Sequence, residues 1–343
     1  MKAAILYEIN KPLKIEEIEI PKLDIGQVLV KLVTSGLCHT QVDNIRGKYG
    51  KDPYLPHLLG HEGSGIVESI GPGVTKVKPG DHVILSWIKG SGCNAQPPKY
   101  KKGKQVINAG QVTTFNEYTV ASENRVTKMR DDMPFETASL IGCAVSTGLG
   151  AVFNESKIMP GSSVAVFGVG GIGLNILQGA ALVNALKIIA VDIHDNKLDS
   201  ALKFNATHII NSKKEDPVAE IMKLTGGKGV DYSFESAGQI TSMEQAYQST
   251  SNNGLVNLVG NPSYNQKISI DAIQTHYGKQ LRGGHGGNVD PDKDFARYID
   301  LYMSEKLKLD ELITHRYPLE KINDAVEDLE SGIVGRAIIE FDR

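Results

Sequence analysis

A chain of 343 residues exceeds what one hydrophobic core usually organises, so two domains are expected and a small binding module is excluded. With 37 Lys and Arg against 40 Asp and Glu, the net charge of −3 asks for neither a nucleic acid nor a membrane surface as partner. Three scattered cysteines, Cys38, Cys93 and Cys143, cannot make a disulfide framework and point to a reducing, cytoplasmic setting.

The apolar run before Glu8 is too short for the core of a signal peptide. Short alternating runs at 27–33, 63–70 and 82–85, with the turn Lys78-Pro79-Gly80-Asp81 before the last, predict a mostly β domain. Within it His57 reads as a loop residue, His82 as an outward strand residue, and the lysine-rich stretch 97–104 as a solvated loop. Residues 158–186 carry no charge and outrun the ~20 residues that span a bilayer. Gly161, Gly168, Gly170, Gly171 and Gly173, with Asn175, Gln178 and Asn184, break that run into a buried strand, a glycine turn and a buried helix. Apolar runs at 164–167, 188–191 and 208–210 then alternate with helical patterns at 172–184 and 196–204, the texture of a doubly wound parallel sheet. Helical patterns at 292–304 and 319–330 lead to a strand-like 336–341, which leaves the alternation and is expected to return to the first domain.

Gly168-Val169-Gly170-Gly171-Ile172-Gly173 follows a strand and opens a helix, the setting in which a glycine fingerprint cradles a pyrophosphate. Asp192 ends the next apolar run, nineteen residues after Gly173. A carboxylate there accepts from ribose hydroxyls and repels a 2′-phosphate, which favours NAD over NADP. Cys38, His61 and Cys143 supply two thiolates and an imidazole, a set that suits zinc with the fourth position open. Spacings of 22 and 81 intervening residues are non-local and do not establish such a site alone.

Taken together, Gly-Leu-Cys-His-Thr, Gly-His-Glu-Gly-Ser-Gly-Ile-Val, Leu-Ile-Gly-Cys-Ala-Val-Ser-Thr-Gly, Val-Phe-Gly-Val-Gly-Gly-Ile-Gly and Val-Asp-Ile closely resemble the zinc-dependent alcohol dehydrogenases of the medium-chain dehydrogenase/reductase superfamily. The resemblance implies an α/β chain with a GroES-like, mainly β catalytic domain from residues 1–147 and 286–343, and an inserted NAD-binding Rossmann domain at 148–285. It implies one zinc per subunit on Cys38, His61 and Cys143, with Glu62 behind the metal, and reversible hydride transfer from a primary or secondary alcohol to NAD. The active site is expected in the cleft between the domains. Thr40 matches the hydroxyl that takes the alcohol proton, and Asp43 stands where relatives place an outer base, although an exposed loop carboxylate reads equally well. His39 and Arg336 match pyrophosphate contacts, and Lys197 and Val259 match further cofactor contacts. A homodimer or homotetramer joined through Rossmann sheet edges is also implied.

Three departures stand out. Gln41 replaces a carboxylate that orients the ligand histidine, so zinc affinity or pH optimum is expected to differ. The stretch 91–97 keeps only Cys93 where many relatives hold a structural zinc with four cysteines, so no structural zinc is expected. Trp87 and Asn261 put an aromatic and a polar group in the substrate pocket, which hints at a substrate with an extra polar group. A sugar or polyol dehydrogenase on the same scaffold is the nearest rival, disfavoured by Cys143; a non-catalytic dinucleotide-binding protein is a further one. His285, in a glycine-rich segment, reads as a bystander.

Overall fold

A computed structural model describes residues 1–332 and 334–342. Its contacts group the chain into two units, Met1–Cys143 with Asp290–Arg343, and Ala144–Val289.

In chain order the first unit opens with β1 (Lys2–Leu6), β2 (Lys14–Glu17) and β3 (Gln27–Leu37), followed by helix α1 (His39–Ile45). Next come β4 (His57–Leu58), β5 (Glu62–Ile70), β6 (His82–Ser86), β7 (Lys99–Lys102), β8 (Gln105–Asn108), β9 (Tyr118–Ser122) and β10 (Val126–Lys128). Helix α2 (Phe135–Leu140) runs into a π-helical turn, Ile141–Val145, and then α3 (Ser146–Gly150). An alternating series follows: β11 (Ser163–Phe167), α4 (Gly171–Leu182), β12 (Lys187–Asp192), α5 (Asp195–Lys203), β13 (His208–Asn211) and α6 (Pro217–Leu224). It continues through β14 (Val230–Glu235), α7 (Ile240–Ser249), β15 (Thr250–Leu258), α8 (Ala272–His276) and β16 (Gln280–Gly283). The chain closes with α9 (Pro291–Met303), β17 (His315–Pro318), α10 (Ile322–Glu330) and β18 (Ala337–Glu340).

The first unit holds two sheets, one in the order β2-β1-β4-β8-β7 and one in the order β10-β6-β5-β3-β18-β17, with β9 also on β3. Val28, Val30 and Leu32 recur at every second position of β3 and enter the same core as Val67, Val83, Leu85 and Ile339. Each such side chain contributes ~1.5–3 kcal/mol when withdrawn from water. The C-terminal strand returns as expected: β18 pairs antiparallel with β3 and parallel with β17, across the crossover helix α10.

Three sequence expectations in this unit need correction. The stretch 97–104 is no loop, because β7 and β8 form a hairpin around Tyr100. That side chain is buried and its oxygen accepts from the Val120 N–H at 2.8 Å, with burial pushing the phenol up to about 12. His82 is half-buried, its ring centroid 4.6 Å from that of Phe135. His57 lies in β4, with Nε2 2.7 Å from Asp52 and Nδ1 2.9 Å from the Leu58 carbonyl.

The second unit is one parallel sheet in the order β13-β12-β11-β14-β15-β16. Its strands are covered on both faces, so β11 and β12 read as continuous apolar runs; Ala165, Phe167, Ile189 and Val191 lie in its core with Ile210 and Val256. The uncharged stretch 158–186 is the strand, glycine turn and helix its residues predict. A different stretch, Phe135–Ser156, is long and apolar enough to cross a membrane by length and composition, and its most apolar window is 89% buried inside the protein.

Candidate metal centre and dinucleotide loop

Strand register brings the first site together. In the β3–β5 ladder Ser35 faces Gly63, and in the β18–β3 ladder Ala337 faces Leu37. The end of β3 and the starts of β5 and β18 therefore share one rim of the sheet. Cys38 follows β3, His61 precedes β5, Glu62 opens it and Arg336 precedes β18. Cys143 comes from the π-helical turn, whose extra residue per turn re-aims a side chain out of the α-helical spacing.

The ligand atoms of Cys38, His61, Glu62 and Cys143 all lie within 4.8 Å of one another. His61 Nε2 is 3.3 Å from Cys143 Sγ. A tetrahedral zinc with bonds of ~2.0–2.3 Å spaces its ligand atoms by about 3.5 Å, so this donor set fits that ion. The two thiols share one hydrogen bond: Cys143 lowers Cys38 well below the ordinary thiol range against the opposing effect of burial, with His61 and Arg336 adding to the lowering. Cys143 is correspondingly pushed up by Cys38 and by burial.

Glu62 is fully buried, and one of its oxygens has no partner. Burial raises its carboxyl although Arg336 pulls the other way. Side chains are absent where Glu62 needs space: a Cβ on Gly36 would come within 2.7 Å of its carboxylate, and one on Gly142 within 3.1 Å of its own Cβ. Arg336, expected as a pyrophosphate contact, has a buried guanidinium that hydrogen-bonds Glu62.

Around this cluster, Thr40 Oγ1 lies 3.7 Å from Cys38 Sγ, and His39 is exposed at the start of α1. Asp43 is not an exposed loop carboxylate. It sits in α1 with 15% of its side chain exposed, 3.0 Å from Lys48 Nζ and 3.3 Å from the Tyr49 hydroxyl. Gln41 is buried, its Nε2 2.6 Å from His61 Nδ1 and its Oε1 accepting from the Gly60 N–H at 2.7 Å. The amide nitrogen, and not its oxygen, is thus the atom turned to the histidine. Trp87 is half-buried in the first unit and its carbonyl accepts from Arg125. Neither the Arg336–Glu62 pair nor the Gly60 link was readable in the sequence, because both join residues that only the folded sheet makes neighbours.

The glycine loop of the second unit separates two kinds of glycine. A Cβ on Gly173 would meet the Gly168 carbonyl at 2.0 Å, and Gly168 has φ +86° with Ala237 against it. Gly170 caps α4, and a Cβ there would meet nothing within 4 Å. Packing needs the first two, whereas the open side of Gly170 suits the close approach of a ligand. Asp192 ends β12 beside this loop: one oxygen accepts from the Val169 N–H at 2.9 Å, the other from the N–H groups of Ile193 and His194. Gly171 and Ile172 open α4, Lys197 is half-buried in α5, and Val259 is buried just past β15. Asn261 and His285 are exposed.

Comparison with known proteins gives the family. The alcohol dehydrogenase GroES-like domain family matches residues 24–131, and the zinc-binding dehydrogenase family matches 171–304. The alcohol dehydrogenase class-3 of Pisum sativum is 37% identical, over 98% of this chain and 97% of that protein. The benzyl alcohol dehydrogenase of Acinetobacter calcoaceticus superposes with a TM-score of 0.91 at 32% identity, covering 99% of both chains. An alcohol dehydrogenase zinc-binding domain protein of Burkholderia ambifaria gives a TM-score of 0.93 at 32% identity, covering 100% of this chain and 99% of that one. A GroES-like unit with a Rossmann-like sheet and a thiolate–imidazole cluster defines a zinc-binding oxidoreductase. More narrowly, the chain belongs to the zinc-dependent alcohol dehydrogenases of the medium-chain dehydrogenase/reductase superfamily, which act on small alcohols.

Proposed function

We propose that this alcohol dehydrogenase uses NAD and holds one catalytic zinc per subunit on Cys38, His61 and Cys143. The observation that carries the metal reading is the convergence of these side chains, with Glu62, within 4.8 Å. The cofactor reading rests on the open face of Gly170 and on Asp192 beside it. Gly168, Gly171, Ile172, Gly173, Lys197 and Val259 complete the cofactor wall, and exposed His39 meets its phosphates. Segment 1–147 with 286–343 is assigned to catalysis and 148–285 to the dinucleotide.

Zinc supplies a Lewis acid that makes an alcohol easier to deprotonate, and NAD supplies the hydride acceptor. The chain's own residues handle the proton. Thr40, beside Cys38, relays it, taking the proton of the alcohol hydroxyl as it releases its own outward, and Asp43, one helical turn further along α1, is the final acceptor. Lys48 stabilises the Asp43 carboxylate at 3.0 Å. Arg336 and Glu62 hold a balanced pair of charges behind the two thiolates. Trp87 and Asn261 shape the substrate pocket. The exposed edge of β16, the last strand of its sheet, is the surface for a homodimer or homotetramer. Free cysteines fit a reducing cytoplasm.

A single-zinc subunit is supported at the 90–96 segment. There Glu123 is buried and accepts the N–H groups of Thr75, Lys76 and Cys93 at 2.6–2.8 Å, a carboxylate anchor that does without a cluster of thiols. The deciding experiment measures zinc per subunit and NADH formation for the wild type and Cys38→Ser. One zinc in the wild type, and loss of zinc and turnover but not of NAD binding in the variant, is the expected result. Unchanged turnover would remove Cys38 from the metal site.

A further inference from the structure

A doubly wound sheet takes a dinucleotide across the crevice where its strand order reverses, one mononucleotide over each half. Here the order reverses between β11 and β14. Asp192 and the Gly170 loop lie on the β11–β13 half, which leaves the nicotinamide half of the cofactor to the C-terminal ends of β14 and β15. Glu235 stands at that end: it is the last residue of β14 and is fully buried.

Its carboxylate is held from one side. Oε1 accepts from the Ala237 N–H at 3.0 Å and from the Ser242 hydroxyl at 2.7 Å. Oε2 has no partner and lies against the neighbouring loop, where a Cβ on Gly260 would come within 2.8 Å of it. That loop hangs on the same residue, since the Glu235 carbonyl accepts from the Val259 and Gly260 N–H groups at 2.8 and 2.9 Å. On the other side the chain just past Glu235 supports the glycine turn: the Ser236 hydroxyl donates to the Gly168 carbonyl at 2.7 Å, and Ala237 packs against Gly168.

What this carboxylate lacks is a cation. Burial raises its carboxyl, and the groups that pull the other way are the Ser242 hydroxyl and the N–H groups of Gln239, Ala237 and Gly238. All of these are neutral. Glu62, which also combines full burial with an unpartnered oxygen, differs in having Arg336 to balance its charge. A buried carboxylate without a counter-charge is costly, so a cation brought to this end of the sheet is favoured over a neutral group of the same shape. The two redox forms of the cofactor differ in that respect: the oxidised nicotinamide ring is a cation and the reduced ring is neutral.

We infer that Glu235 is a specificity residue for the oxidised form of the cofactor, its carboxylate acting as counter-charge to the nicotinamide cation from behind the Val259–Gly260 wall and without contact. The inference rests on the cofactor reading above and adds to it a residue that tells NAD from NADH, whose pyrophosphates and riboses are alike.

The test titrates oxidised NAD and NADH separately into purified wild type and Glu235→Gln by calorimetry, with a thermal melt to check the fold. Glutamine keeps the length and an acceptor oxygen for Ala237 and Ser242 while removing the charge. Unit charges ~10 Å apart in a protein interior change an affinity by about tenfold, so the variant is expected to bind oxidised NAD about tenfold more weakly and NADH within about twofold of the wild type. Equal weakening of both forms would overturn the inference, because Glu235 would then be an anchor for two loops and nothing more. Unchanged affinity for both would overturn it too, since no charge would then act on the ring. Should Glu235→Gln not fold, Ser242→Ala removes a donor that favours the charged form and is expected to weaken oxidised NAD more than NADH; equal effects there would count against the inference in the same way. A wild type that binds neither form would instead defeat the cofactor reading itself.

Discussion

Arg336 and Glu62 are 274 residues apart in sequence and directly hydrogen-bonded in a buried pocket. Removing one member strands the other's charge without water, a loss that typically costs ~3–5 kcal/mol. Arg336→Met is expected to lower unfolding free energy by about that amount in urea titration, and Glu62→Gln added to it should restore part of the loss. A single variant as stable as the wild type would mean that Glu62 is neutral in the folded chain. Lys279 gives a second, pH-dependent case. It is 4% exposed, donates to the Tyr247 carbonyl at 2.8 Å, and lies over the Tyr247 ring. Burial lowers its amine to about 8. Unfolded, a lysine titrates near ~10.4, so between these values the unfolded chain binds more protons and folding becomes more favourable as pH rises. Wild type should therefore gain stability over Lys279→Met as the solution is taken from pH about 8 to about 10. Parallel stability curves across that range would refute the burial argument.

At the level of elements, the glycine turn into α4 lets packing and ligand binding be tested apart. Gly173→Ala puts a methyl 2.0 Å from the Gly168 carbonyl and should destabilise the second unit. Gly170→Ala meets nothing within 4 Å and has φ −75°, so it should melt within a few degrees of the wild type while NAD affinity falls at least tenfold. Calorimetric melting and NAD titration check both; equal NAD affinity in Gly170→Ala would mean that no cofactor approaches that face. This turn was readable in the sequence because its signal is local: a strand, a glycine spacing and a helix in continuous order. The same holds for the alternation of β11 to β13 with their helices, whereas Cys38, His61 and Cys143, too far apart for a local signal, were readable only through the resemblance of their motifs. What the sequence hid is pairing across the sheet. Gln41 could be placed beside His61 by analogy, but its orientation depends on the Gly60 N–H, and no spacing encodes that contact. His82 looked outward from strand alternation because Phe135, which covers it, lies 53 positions later.

For the molecule as a whole, the two units differ in how they are drawn from the chain. All six strands of the parallel sheet lie within one continuous segment, whereas the large sheet of the first unit needs β17 and β18 from the far end. A fragment of residues 144–289 is therefore expected to fold alone, with a cooperative thermal transition and NAD binding. Residues 1–143 alone lack the strand that covers one edge of β3 and should not give a cooperative transition. Circular dichroism melts of the two fragments check this; a cooperative 1–143 would show that β18 is dispensable. The two-domain expectation came from length and from the change in texture near residue 162, both averages over many residues. The return of the last strand was readable as a break in the alternation, though its partner was not.

The register of β18 on β3 also orders events during synthesis. Cys38, His61 and Cys143 leave the ribosome long before Arg336, the cation that balances their buried negative neighbour Glu62. While Arg336 and β18 are still within the exit tunnel, every strand of the parallel sheet has emerged but the cation that balances Glu62 has not. Zinc capture is thus expected to wait for residue 336, and nascent chains arrested before it should emerge without stably bound metal.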